Sequence, residues 1–99
     1  MYKIGTWRLV MKAIITVIGK DTVGILAKVS DACAKASVNI IEVTQSVLQD
    51  MFAMIMLVEL DKANIEFEQL KDSLNKVGDE TATKIHIMHE DIFNSMHRI

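Results

Sequence analysis

The sequence predicts an α+β fold of the ferredoxin-like kind: a four-stranded antiparallel sheet with both helices on one face, in the order β-α-β-β-α-β. Three observations carry that prediction. Apolar and β-branched runs at 12–18 and 52–60, with alternating segments at 39–48 and 81–88, read as strands. Two segments between them space their apolar residues by three and four, as helices do. Each half of the chain then becomes a β-α-β unit of similar length, a weak internal repeat.

The first strand is Lys-Ala-Ile-Ile-Thr-Val-Ile over 12–18, bounded by Gly19, Lys20 and Asp21. Asp21 or Thr22 is the expected cap of a first helix over 23–36, with Ile25, Leu26, Val29, Ala32, Cys33 and Ala36 on its apolar stripe. In the second strand, 39–48, Ile41, Val43 and Val47 share one face, and Glu42, Thr44 and Ser46 share the other. Gln49 and Asp50 form the short break before the third strand, which makes the pair a hairpin of unspecified turn type, since neither residue is glycine. Capping residues at 61–64 precede a second helix carrying Phe67, Leu70, Leu74 and Val77, and Gly78 is the expected residue just beyond its end. The fourth strand places Ile85 and Ile87 opposite Lys84, His86 and Met88. Leu26, Val29, Cys33, Phe67, Leu70 and Leu74 are the helix residues expected to pack on the sheet. Each side chain fully buried there contributes roughly 1.5 to 3 kcal/mol.

The domain is expected to occupy 11–89. Residues 1–10 hold the only Trp and the only Tyr and precede a second methionine, Met11, which suggests an upstream start or a tag. Residues 90–99 carry Ile92, Phe93 and Met96 at helical spacing, a short terminal helix or tail. The formal charge is −2, and it becomes −4 without Lys3 and Arg8, so nucleic-acid binding is not expected. The apolar runs fall far short of the roughly 20 residues that span a bilayer, and no secretory signal is legible, so no membrane partner is expected. A lone Cys33 in so small a domain points to a reducing compartment, with the cytoplasm as the default.

Most chemistries this fold hosts lack their residues here. RNA recognition needs aromatics on the first and third strands, and only Phe52 is present. The loop after the first strand, Gly-Lys-Asp-Thr-Val-Gly, has no Cys-x-x-Cys pair for a metal and no arginine for a transferred anion. His86 and His89 point to opposite faces of a strand and His97 lies on another element, so no metal site is expected. Cys33 sits on an apolar stripe as a small core residue. Met54 and Met56 alternate as core or interface filler. No nucleophile and base can be paired, so the chain is expected not to be an enzyme and to need no cofactor.

What remains is the turn into the first helix. Gly24 bares backbone N–H groups where the helix dipole favours a carboxylate, Asp21 can accept from an ammonium, and Asn39 both donates and accepts. That set suits a zwitterionic amino acid. The bland alternative is that Asp21 caps, Gly24 packs and Asn39 starts a strand.

Asp21-x-x-Gly24 followed by Ile25, with Val38-Asn39-Ile40 about fifteen residues on and the whole element order, resembles the ACT domain family over about 12–89. Val23 stands where that family has proline. The strings Ile18-Gly19-Lys20-Asp21, Val23-Gly24-Ile25 and 52–59 look most like the short stand-alone ACT proteins of the UPF0237 type, and more distantly like the glycine-cleavage-system repressor. The resemblance implies a non-enzymatic regulatory module that binds a small ligand, an amino acid, through Asp21, Thr22, Val23, Gly24, Ile25, Asn39 and Ile40. It also implies a homodimer through the second-strand edge. That edge has one charge, Glu42, and no protecting lysine or proline over 39–48. Such a module acts on an unidentified regulated protein. The alternative from another class is a protein-interaction or oligomerisation module of the same fold with no small ligand.

Overall fold

A computed structural model describes residues 11–20 and 24–91. Six elements follow in the expected order: β1 (Lys12–Lys20), α1 (Ile25–Lys35), β2 (Asn39–Leu48), β3 (Met51–Glu59), α2 (Phe67–Thr81) and β4 (Thr83–His89). The strands form one antiparallel sheet in the order β2-β3-β1-β4, so β2 and β4 are its edges. The fold is the expected ferredoxin-like one. Residues 1–10, the loop 21–23 and the tail 92–99 lie outside the described residues, and with them the readings of an extension and of a terminal helix beyond Glu90 and Asp91.

The core lies between helices and sheet. Ile15, Val17, Met54, Met56 and Val58 face Val29, Cys33, Leu70 and Leu74, all fully buried or nearly so. Leu26 is a correction: it is 38% exposed, and Ile25 takes its place inside. The buried stripe runs Ile25, Val29, Cys33 at spacings of four, and Leu26, one residue or about 100° round the helix from Ile25, falls on its rim.

Several element ends also differ from expectation, each for a local reason. Gly24, with φ 86° and ψ 4°, is the residue that caps α1, in place of the Asp21 or Thr22 cap. The helix ends in a Schellman motif: Val38 N–H donates to Cys33 O at 2.8 Å and Ser37 N–H to Ala34 O at 3.0 Å, with Ser37 at φ 57°. The Asn64 carboxamide donates to Lys35 O and to Ser37 Oγ, tying the crossover loop to that end. The second helix is capped at Glu66, not within 61–64. The Glu66 carboxylate accepts from the Gln69 backbone, and Gln69 Oε1 accepts from Glu66 N–H at 2.8 Å. It also runs through Gly78 to Thr81. Gly78 is there for closeness, since a Cβ on it would stand 2.9 Å from the Thr83 carbonyl oxygen. The left-handed end residue is Ala82, at φ 57°. β4 therefore starts at Thr83 and continues to His89.

β1 continues through Gly19 to Lys20, beyond the expected end at 18. β3 covers Met51–Glu59, one residue earlier at each end, and Gln49 supplies the positive φ, 60°, for the two-residue hairpin turn. In β2 the expected alternation fails at its start. A bulge lies between Ile40 and Glu42, which pair with Val58 and Leu57, so Ile41 has no partner of its own and is 44% exposed. Ile40 and Val43 both pack against the core, on either side of the bulge.

Candidate functional site

The turn from β1 into α1 sits at one end of the sheet. Gly24 is exposed, and a Cβ added to it would meet nothing within 4 Å, so its left-handed backbone, not crowding, selects glycine. Its carbonyl accepts the first helical bond, from Lys28 N–H at 2.9 Å. The first turn of α1 holds no acidic side chain and Gly24 has none to cap with. The positive end of the helix dipole is thus not offset by the helix's own residues, an arrangement that favours an anion.

The seven residues expected to bind a ligand separate into three groups. Asp21, Thr22 and Val23 lie outside the described residues. Gly24 and Ile25 adjoin at the helix start, but the Ile25 side chain is only 2% exposed, so what it can offer a ligand is its backbone N–H. Asn39 and Ile40 lie at the far end of the sheet. Asn39 pairs with Glu59, which pairs with Lys12, eight residues before the β1 end at Lys20. At about 3.3 Å per residue the two ends are about 26 Å apart. Asn39 is exposed at the β2 edge, and Ile40 is half-buried against the core. One chain therefore does not bring Asn39 to the Gly24 turn.

Other reactive groups are placed for packing. Burial pushes the Cys33 thiol up to about 11, which leaves it a poor nucleophile at neutral pH. His86 is exposed on the open face, while His89 stacks on Phe67 with ring centroids 4.3 Å apart. No cluster of three or more potential metal ligands occurs among the described residues. None of their helices is long and apolar enough to cross a membrane.

A feature that no sequence pattern announced lies at the same end of the sheet as the Gly24 turn. A cavity of about 490 Å³ opens there, between the ends of β1 and β3 and the α2–β4 turn. Its lining joins residues from four elements, so no local motif announced it. Two of its floor residues, Gly19 and Gly78, were visible only as a strand boundary and a helix end.

The ACT domain family profile matches residues 12–88. The UPF0237 protein of Listeria innocua is 43% identical over 89 residues, 90% of this chain and 100% of its own length. Among solved structures, an ACT domain protein from Streptococcus pneumoniae superposes with a TM-score of 0.73 at 38% identity, covering 84% of this chain and 93% of that one. A putative glycine cleavage system transcriptional repressor shares the fold at 22% identity, with a TM-score of 0.71 over 82% of this chain and 46% of its own. ACT domains are in general regulatory modules that bind small ligands, and the strand order, the glycine turn and these matches together show that the chain belongs to the ACT domain family.

Proposed function

We propose that this chain is a non-enzymatic regulatory module of the cytoplasm that binds an amino acid at a site shared by two copies. The observation that carries it is the pairing of an open, anion-favouring Gly24 turn with a β2 edge whose Leu48 end lies at the same end of the sheet. An amino-acid carboxylate takes the backbone N–H groups at the start of α1. Its ammonium needs an acceptor, which Asp21 and Asn39 provide.

An isologous dimer removes the offset of about 26 Å along the strands between Asn39 and the turn. Two β2 edges paired antiparallel place each Asn39 beside the other chain's Leu48 end, the end that carries the Gly24 turn. The edge supports this: between Asn39 and Leu48 it has one charged residue and no proline, and Ile41 and Val47 are 44% and 56% exposed. Binding and dimerisation are then linked, and a ligand changes which surfaces are offered to a regulated protein. The reading without a ligand, an interaction module alone, draws on the exposed Ile18, Met51 and Ile55 of the open sheet face.

Thermal-shift screening against the amino acids, followed by titration calorimetry and light scattering, tests the proposal. A ligand at 100 times its Kd adds about 2.7 kcal/mol to stability. Asp21→Ala and Asn39→Ala weaken binding, and Thr44→Lys with Ser46→Pro shifts the dimer toward monomer. A parent chain that is monomeric at high micromolar concentration removes the shared site.

A further inference from the structure

The geometry points to a second ligand seat, complete within one chain, in the 490 Å³ cavity on the β4 side of the Gly24 turn: a site for a small zwitterion with an apolar body. It shares with the reading above only the class of ligand. Its lining runs from the end of β3 across β1 to β4 and includes no β2 residue, and it needs no second copy.

The volume is within the roughly 300 to 1,000 Å³ usual for small-molecule pockets, and the hollow is open to solvent on one side. The walls are apolar: Ile18 and Met51 are 41% and 48% exposed, high for side chains of their kind. The floor is bare backbone at Gly19 and Gly78, and for a compulsory reason. A Cβ at Gly19 would lie 2.7 Å from Thr83 Cγ2, and one at Gly78 would lie 2.9 Å from Thr83 O. Close packing on Thr83 thus holds both positions as glycine, so backbone and not side chain borders the hollow there.

Two opposite charges line the same cavity. Asp79 comes from the last turn of α2 and Lys84 from β4, and among the described residues neither forms an ion pair with the other or with a third group. Lys20 also lines the cavity, where it engages Asp50 at 4.0 Å. The last turn of α2 contains Asp79 and Glu80 and no basic residue, which sets negative side chains at the negative end of the helix dipole. That arrangement is mildly unfavourable in the empty protein and favours an incoming ammonium. Lys84 supplies the counterpart for a carboxylate. An aliphatic amino acid seated across the end of the sheet matches all three properties: side chain against Ile18 and Met51 and carboxylate toward Lys84 on the open face, ammonium toward Asp79 at the end of α2 on the other.

The test uses the full chain labelled with ¹⁵N and L-leucine as the probe, titrated into the millimolar range. The amides of Gly19, Gly78 and Ala82 shift together in a saturable way. Leucinol, which lacks the carboxylate, and N-acetyl-L-leucine, which lacks the ammonium, bind at least about tenfold more weakly, the loss of one charged contact. Lys84→Gln and Asp79→Asn each cost about the same factor, and both residues are exposed, so a dispersed spectrum confirms that the variants fold. Asn39→Ala leaves these shifts unchanged. Leucine shifts that survive both Lys84→Gln and Asp79→Asn, or that gather at Gly24 and vanish with Asn39→Ala, overturn this site and leave the shared one standing. The absence of any shift with leucine at saturating millimolar concentration overturns this site, whatever other amino acid the thermal screen finds.

Discussion

Replacing Gly78 by alanine separates two physical reasons for a glycine near a helix end. Inside a helix, alanine is favoured over glycine by about 1 kcal/mol, so on propensity alone Gly78→Ala stabilises α2. The structure opposes this with a Cβ 2.9 Å from the Thr83 carbonyl oxygen and 3.5 Å from Ile85 Cγ1. The oxygen belongs to the main chain of β4, which β1 holds through the Gly19↔Thr83 and Val17↔Ile85 pairs, so it cannot rotate away as a side-chain tip would. Over-packing of this kind costs about 1 to 3 kcal/mol, so after the propensity gain of about 1 kcal/mol the net loss is up to about 2 kcal/mol. For a domain of this size each kcal/mol moves Tm by roughly 4 to 8 °C. Urea denaturation followed by circular dichroism measures the loss, with an unchanged m-value as the sign that the end states are intact. Gly78→Asn sharpens the test. A left-handed position tolerates Asn better than Ala, whereas a crowded one tolerates the larger Asn less well. An Ala variant about 1 kcal/mol more stable than the parent, or an Asn variant milder than the Ala one, refutes the close α2–β4 contact as the reason for glycine.

Ala82 is the reverse case, an alanine at φ 57° where glycine costs nothing, so Ala82→Gly raises stability by up to about 1 kcal/mol in the same denaturation assay. At Gly24, φ 86° with open space around the missing Cβ, Gly24→Ala costs about 1 to 2 kcal/mol through backbone strain alone, and Gly24→Asn costs less. Leu74→Ala, at a fully buried core position, costs about 2 to 5 kcal/mol by the same measurement. Cys33 gives a pH dependence: burial raises its thiol from 9.0 to about 11, so the unfolded chain loses this proton first and stability is full below about 9 and declines as pH rises toward 11. Cys33→Ala flattens that alkaline decline, and in the parent at pH 8 the thiol reacts with a disulfide reagent only after urea unfolds the chain.

Local patterns in the chain settle the order of elements and which face of most of them turns inward. Period-2 and period-3.6 patterns are local consequences of side-chain geometry, and they were enough to place β2 at Asn39–Leu48 to the residue and to make β2 and β4 the edges. The Asp21-x-x-Gly24 string also carried the family, and one of its residues proved to be the left-handed start of α1. Tertiary structure decided the rest, because the competing choices are locally equal. A glycine near a helix end suits either a left-handed stop or a close approach, and only the neighbouring β4 strand shows that Gly78 is the second. An apolar residue in an edge strand can face either side, and the bulge at Ile41 depends on how β3 pairs with it. The distance between Asn39 and the Gly24 turn follows from antiparallel register, a relation between strands that no single segment contains. The cavity between Asp79 and Lys84 exists because four elements end at one side of the sheet, and convergence of that kind is a property of the packed chain alone.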